Sequence, residues 1–125
     1  MAAQKPIIPI YTTKGDAEAF LVYPYLYNRI GDWVGWITPE REVYSVIGYY
    51  IGYLDRGPRI LRKRFIEKET TRKDPPVKPS RVYPPATVPL APMMPELNFS
   101  TIDILLDEPE RLHPIDSGEF RNDLD

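Results

Sequence analysis

The sequence predicts an all-β domain of about four consecutive β-hairpins, followed by a proline-rich, extended C-terminal tail. Three observations carry this. Eleven of the fifteen aromatics and six of the seven glycines precede residue 58, whereas eight of the fifteen prolines crowd into Pro75 to Pro95. Tyr, Trp, Val and Ile, which suit pleated and half-buried backbone, dominate the first half. Most specifically, one pattern recurs three times. Aligning Tyr11, Tyr27 and Tyr44 gives "YTTKGDAEAFL", "YNRIGDWVGWI" and "YSVIGYYIGYL", at spacings of 16 and 17 residues. Each copy holds Tyr, three residues, Gly, three residues, a small residue, an aromatic and an aliphatic, and self-similarity of this kind marks a repeated structural unit.

The repeat domain spans residues 6–66, with copies near 10–21, 26–37, 43–54 and 59–66. In each copy the first glycine (Gly15, Gly31, Gly48) separates two strand-like runs, where a tight turn needs positive φ without a Cβ clash. The small position (Ala19, Gly35, Gly52) leaves a gap that a ring from a neighbouring copy would fill. The aromatics Trp36 and Tyr53 should occupy equivalent sites more than half buried, beside Ile37 and Leu54. A single hairpin is marginal in water, so the copies must share a core. The fourth copy, "RILRKRFIEK", keeps the strand opening and loses the glycine.

Together "PIYTTKGDAEAFL", "YLYNRIGDWVGWI" and "EVYSVIGYYIGYL", with "PRILRKR" as closing element, resemble the hairpin pattern of the small bacterial four-fold β-flower proteins. The resemblance covers about residues 7–66. It implies four hairpins around a pseudo-four-fold axis and implies no activity.

Residues 67–87 read as a proline-rich linker, with prolines spaced too closely for a helix or a central strand. Residues 88–125 form an extended tail, first apolar and then acidic. Within it "STIDILL" suits either a helix capped by Ser100 or a short strand. The segment from Val88 to Leu106 has too few neighbours for a core of its own. It is expected to be loosely held in the isolated chain and to order on an unidentified protein partner, with Met93, Met94, Phe99 and Leu105 as anchors.

Charge is partitioned along the chain. The formal net of −2 sums −2 over residues 1–55, +7 over 56–81 and −7 over 82–125. Arg62, Lys63 and Arg64 are therefore expected to meet an acidic surface, either the tail around Asp107 to Glu110 or the partner. Basic residues 56–64 beside an aromatic-rich sheet raise an alternative, a small nucleic-acid-binding module; aromatics at repeat positions and a pI near 5.5 weigh against it.

No chemistry stands out. With no cysteine there is no disulfide or thiolate, and with one histidine there is no metal-ligand spacing. The carboxylate pairs Glu40 with Glu42 and Asp107 with Glu108 sit in an exposed connection and a tail, where neither is desolvated as acid–base catalysis requires. No phosphate loop occurs. "PVKPSR" matches an SH3-type ligand and reads more simply as a stiff spacer, and "NFS" is a sequon by letter alone. No cofactor is expected and no apolar run approaches membrane-spanning length, so the expected location is cytoplasmic. The expected role is non-enzymatic: interaction or assembly, with the β domain as platform and the tail docking on a partner.

Overall fold

β-branched and aromatic residues between glycine turns produce short antiparallel strands. In the computed structural model, which describes residues 5–65 and 72–115, eight strands form. They are β1 (Ile8–Tyr11), β2 (Ala17–Val22), β3 (Tyr25–Asn28), β4 (Trp33–Ile37), β5 (Glu42–Ser45), β6 (Tyr50–Leu54), β7 (Ile60–Lys63) and β8 (Thr101–Asp103). They pair antiparallel in chain order as one sheet, curled into a half-barrel. A four-residue helical turn, α1 (Ile104–Asp107), and a 3-10 turn at Pro109–Arg111 follow. The all-β expectation holds.

The repeat is a repeat of hairpins. Gly15, Gly31 and Gly48 lie in the β1–β2, β3–β4 and β5–β6 turns with φ of 95°, 91° and 93°. A register shift falls at the same place in all three, so that the repeat tyrosines stand opposite Ala17, Trp33 and Tyr50. Bulges add right-handed twist and bend the bulged strand, and three in phase contribute to the curl.

The second small position has a different reason from the expected one. A Cβ on Gly35 would lie 2.6 Å from the Tyr44 carbonyl oxygen, and one on Gly52 would lie 2.2 Å from that of Leu61. Both oxygens belong to the corresponding residue of the next copy. These glycines admit the neighbouring strand's backbone, not a ring; the strands close in where the sheet bends.

The inner face of the sheet is aliphatic. Ile10, Leu21, Leu26, Val34, Ile37, Val43, Ile51, Leu54 and Ile60 form one buried cluster with Ile102, Ile104 and Leu112. On the other face Tyr27, Trp33 and Val46 form a second cluster, with Trp36 packed against it. Trp36 and Tyr53 are both part-buried, as equivalent positions should be. Trp36 stacks on Tyr44 at 4.9 Å between ring centroids, and its indole N–H donates to the Ser45 carbonyl at 3.1 Å.

The sheet extends past the expected boundary at residue 66. β7 pairs with β8, Leu61 opposite Asp103 and Lys63 opposite Thr101. The strand reading of "STIDILL" holds for its first half and a helical turn takes the second; Ser100 does not cap it, because α1 begins at Ile104. Without β8, β7 would expose a row of unpaired backbone groups, and Ile102 and Ile104 would lose the core site in which they are buried. The first and fourth hairpins also touch. The Tyr11 N–H donates to the Pro58 carbonyl at 3.0 Å. Buried Asp103 accepts from the Thr13 N–H at 2.6 Å and from its hydroxyl at 2.7 Å. Buried Arg59 bridges Asp55 at 3.0 Å and the Thr13 hydroxyl at 3.1 Å.

Candidate functional site at the hairpin tips

Each of the three glycine-turn tips is assembled from consecutive residues of the repeat. After the tyrosine comes a short polar residue (Thr12, Asn28, Ser45) whose side-chain oxygen accepts turn N–H groups. Asn28 Oδ1 takes those of Ile30 and Asp32 at 3.1 and 2.9 Å, and Ser45 Oγ takes that of Tyr49 at 3.1 Å. Such side-chain acceptors favour turns over ladder continuation. The polar residue's own carbonyl accepts the glycine N–H, at 2.8, 3.1 and 2.9 Å in the three tips. At hairpins 2 and 3 the carbonyls of the glycine and of the residue before it accept from a later segment of the chain.

Residues 72–98 cross these tips without regular secondary structure. They carry a repeat of their own. "RKDPPVKPS" (72–80) and "RVYPPATVP" (81–89) share Arg, two residues, Pro, Pro at a spacing of nine. The two repeats meet in register. At hairpin 3 the Lys73 N–H donates to the Gly48 carbonyl at 3.0 Å and Arg72 Nε donates to the Ile47 carbonyl at 2.6 Å. At hairpin 2 the Val82 N–H donates to the Gly31 carbonyl at 3.1 Å and Arg81 donates to the Ile30 carbonyl. The Tyr27 hydroxyl donates to the Ser80 carbonyl at 3.3 Å and Tyr11 donates to Pro89 at 2.7 Å, again nine residues on. The strap visits hairpin 3, then 2, then 1, and returns to hairpin 4 as β8.

The turn glycines are thus required twice. Beyond their positive φ, a Cβ on Gly31 would stand 1.9 Å from the Val82 oxygen, and one on Gly48 would stand 2.0 Å from the Lys73 oxygen. At hairpin 1 the approach is looser: a Cβ on Gly15 would meet the Ala91 Cβ at 3.8 Å, an ordinary contact.

Burial makes two of the repeat tyrosines, Tyr27 and Tyr44, harder to ionise. Burial, then the neighbouring Tyr25, pushes the Tyr27 hydroxyl pKa up. Tyr44 is pushed up to about 12, first by burial and then by the Glu42 carboxylate, to which its hydroxyl donates at 3.2 Å. Lys73 Nζ lies 5.7 Å from the Tyr44 ring centroid, at the outer limit of a cation–π contact.

The expected anchors divide. Met93 is fully exposed and Phe99 mostly so. Met94 turns inward onto the β6–β7 turn, where a Cβ on Gly57 would lie 2.6 Å from its sulfur. Leu105 packs against the core. The basic stretch divides as well. Arg62, Lys63 and Arg64 do meet the tail, but by strand pairing with residues 100–102, while Glu108 pairs with Arg111. Arg64 donates to the Phe99 carbonyl at 2.7 Å and lies 4.4 Å from that ring's centroid. Arg62 is part-buried with its Nε unpartnered, and Lys63 is exposed. Arg59, of the same stretch, is 3% exposed and engaged by Asp55. Two signals in the sequence, the polar residue after each repeat tyrosine and the nine-residue arginine–proline period, would have located this site.

Among the described residues no group of three or more His, Asp or Glu is placed to hold a metal ion, and no helix is long and apolar enough to cross a membrane. Searched against protein-family models, curated proteins and solved structures, the chain matches none of them.

Proposed function

We propose that this protein is a non-enzymatic interaction module, in which the hairpin domain is a rigid platform and the strap presents side chains to a partner protein. One observation carries the reading: Val77, Tyr83, Leu90 and Met93, all on the strap, are each at least 80% exposed. Scattered exposed apolar residues need no explanation, whereas a series along one bound segment marks a contact surface. Phe99 and Phe65, 6.0 Å apart by ring centroid, extend it beside Arg64. Met94 and Leu105 serve the fold in this reading, and Met93 and Phe99 serve the partner.

The contacts between hairpins 1 and 4 support a second element of the proposal, that the four hairpins approximate the pseudo-four-fold arrangement of the β-flower proteins. The half-barrel is then a ring held together by Asp103, Thr13 and Arg59. Binding to nucleic acid has less support, since Arg59 is internal and Arg64 is engaged by Phe99.

The test is a comparison of full-length proteins. A variant with Val77, Tyr83, Leu90 and Met93 all changed to serine should keep its melting temperature, because none of these side chains is buried. It should also lose proteins that the parent captures from its native extract. Identical capture by both would overturn the platform reading, and salt-sensitive binding of a single-stranded oligonucleotide would favour the nucleic-acid alternative.

A further inference from the structure

Two of the three turn-closed tips are matched by an arginine of the strap and one is not. At hairpins 2 and 3 the residue before the glycine, Ile30 or Ile47, gives its carbonyl to Arg81 or Arg72. At hairpin 2 the residue after the glycine, Asp32, adds a carboxylate 3.7 Å from Arg81. Hairpin 1 repeats that arrangement, with Lys14 before Gly15 and Asp16 after it. The strap, however, reaches this tip with Leu90 where its period requires arginine, and Leu90 is 96% exposed. Among the described residues no cation pairs with the Asp16 carboxylate, and no side chain donates to the Lys14 carbonyl. The strap also stands off here, as the 3.8 Å clearance at Gly15 records.

Beside this unmatched tip a cavity of about 480 Å³ opens between hairpin 1 and the strap. Asp16 and Glu18 line it on one side and Pro84, Pro85 and Val88 on the other. Arg29 also borders it, 3.9 Å from Glu18 and largely solvated, which leaves Asp16 as the carboxylate without a counter-charge.

We propose that hairpin 1 is a receptor for an arginine presented by a proline-rich segment of another polypeptide, the type of segment that the strap itself supplies to hairpins 2 and 3. The two occupied tips define the ligand chemistry. At both a guanidinium donates to the turn carbonyl before the glycine. At hairpin 2, whose Gly-Asp sequence hairpin 1 shares, it also faces the tip's carboxylate, whereas at hairpin 3 Arg72 pairs with Asp74 of the strap itself. Flanking prolines hold the segment extended at little cost in entropy. Arginine fits this role better than lysine, because its fork serves a carbonyl and a carboxylate together. The cavity at the hairpin 1 tip is separate from the exposed apolar row of the strap. That row could be inert with the tip still receptive, and the two readings fail in different experiments.

The probe is a fluorescein-labelled peptide RVYPPATVP, the chain's own residues 81–89, titrated by anisotropy into full-length protein. It should bind about tenfold tighter than the same peptide carrying Arg81→Ala, a difference of about 1.4 kcal/mol. Asp16→Asn in the protein should remove that difference, since it deletes the charge and keeps the turn. Leu90→Arg should occupy the tip from within the strap, lowering peptide affinity about tenfold and raising the melting temperature. Equal binding of the two peptides, no saturable binding of the arginine peptide, or an affinity untouched by Leu90→Arg would each overturn the proposal.

Discussion

Hairpins 1 to 3 and hairpin 4 solve one closure problem in opposite ways. The first three join their strands through four or five residues around a glycine of positive φ. The fourth joins β7 to β8 through 37 residues, 64 to 100. The entropic difference is smaller than it looks: loop closure grows only logarithmically, so the long connection costs about 2 kcal/mol more. The connection offsets this by binding the other tips as it passes, through arginine and backbone latches each worth about 0.5–1.5 kcal/mol. β7 and β8 are therefore paired across a long connection, where the earlier strand pairs are joined by tight glycine turns.

The largest test asks whether hairpin 4 belongs to the fold. Ile104 is fully buried just after β8, so Ile104→Ala should cost about 2–5 kcal/mol in urea unfolding. If the tail only awaited a partner, the unfolding midpoint would not move. The next separates the tips by how closely the strap approaches. Gly48→Ala meets both a positive φ and the Lys73 carbonyl and should cost about 2–4 kcal/mol, whereas Gly15→Ala meets the φ alone and should cost about 1–2 kcal/mol. Equal losses would mean the strap does not press on hairpin 3.

A third contrast lies within hairpin 3, whose buried tyrosine resists ionisation. With a folded pKa near 12 and an unfolded value of 10.0, Tyr44 stays protonated in the native state while the unfolded chain releases its proton. The contribution of Tyr44 to stability should be constant below about pH 10 and fall between about pH 10 and 12, by about 1–3 kcal/mol. Tyr44→Phe should flatten that part of the profile, and an unchanged slope would assign it to other groups. The smallest effect is at the strap: Arg81→Ala should cost about 1 kcal/mol and accelerate hydrogen exchange at the Val82 amide, with the Lys73 amide less affected. Parallel acceleration at both would show that the strap is released as a unit.

The hairpins were legible because their causes are local. A glycine fifth in each repeat, between aromatic and β-branched runs, specifies a turn through backbone geometry that the neighbouring residues alone impose. What only the tertiary structure decided depends on residues distant in sequence. Asp103 meets Thr13, Pro89 meets Tyr11, and Leu61 presses on Gly52 because the sheet curls, and no periodicity within one copy encodes that curl. For the same reason Met94 and Leu105, which look like free anchors beside Met93 and Phe99, turn inward. Apolarity fixes that a side chain is better buried than exposed; which surface buries it is set by where the strap, latched at two earlier tips, places the chain when it arrives.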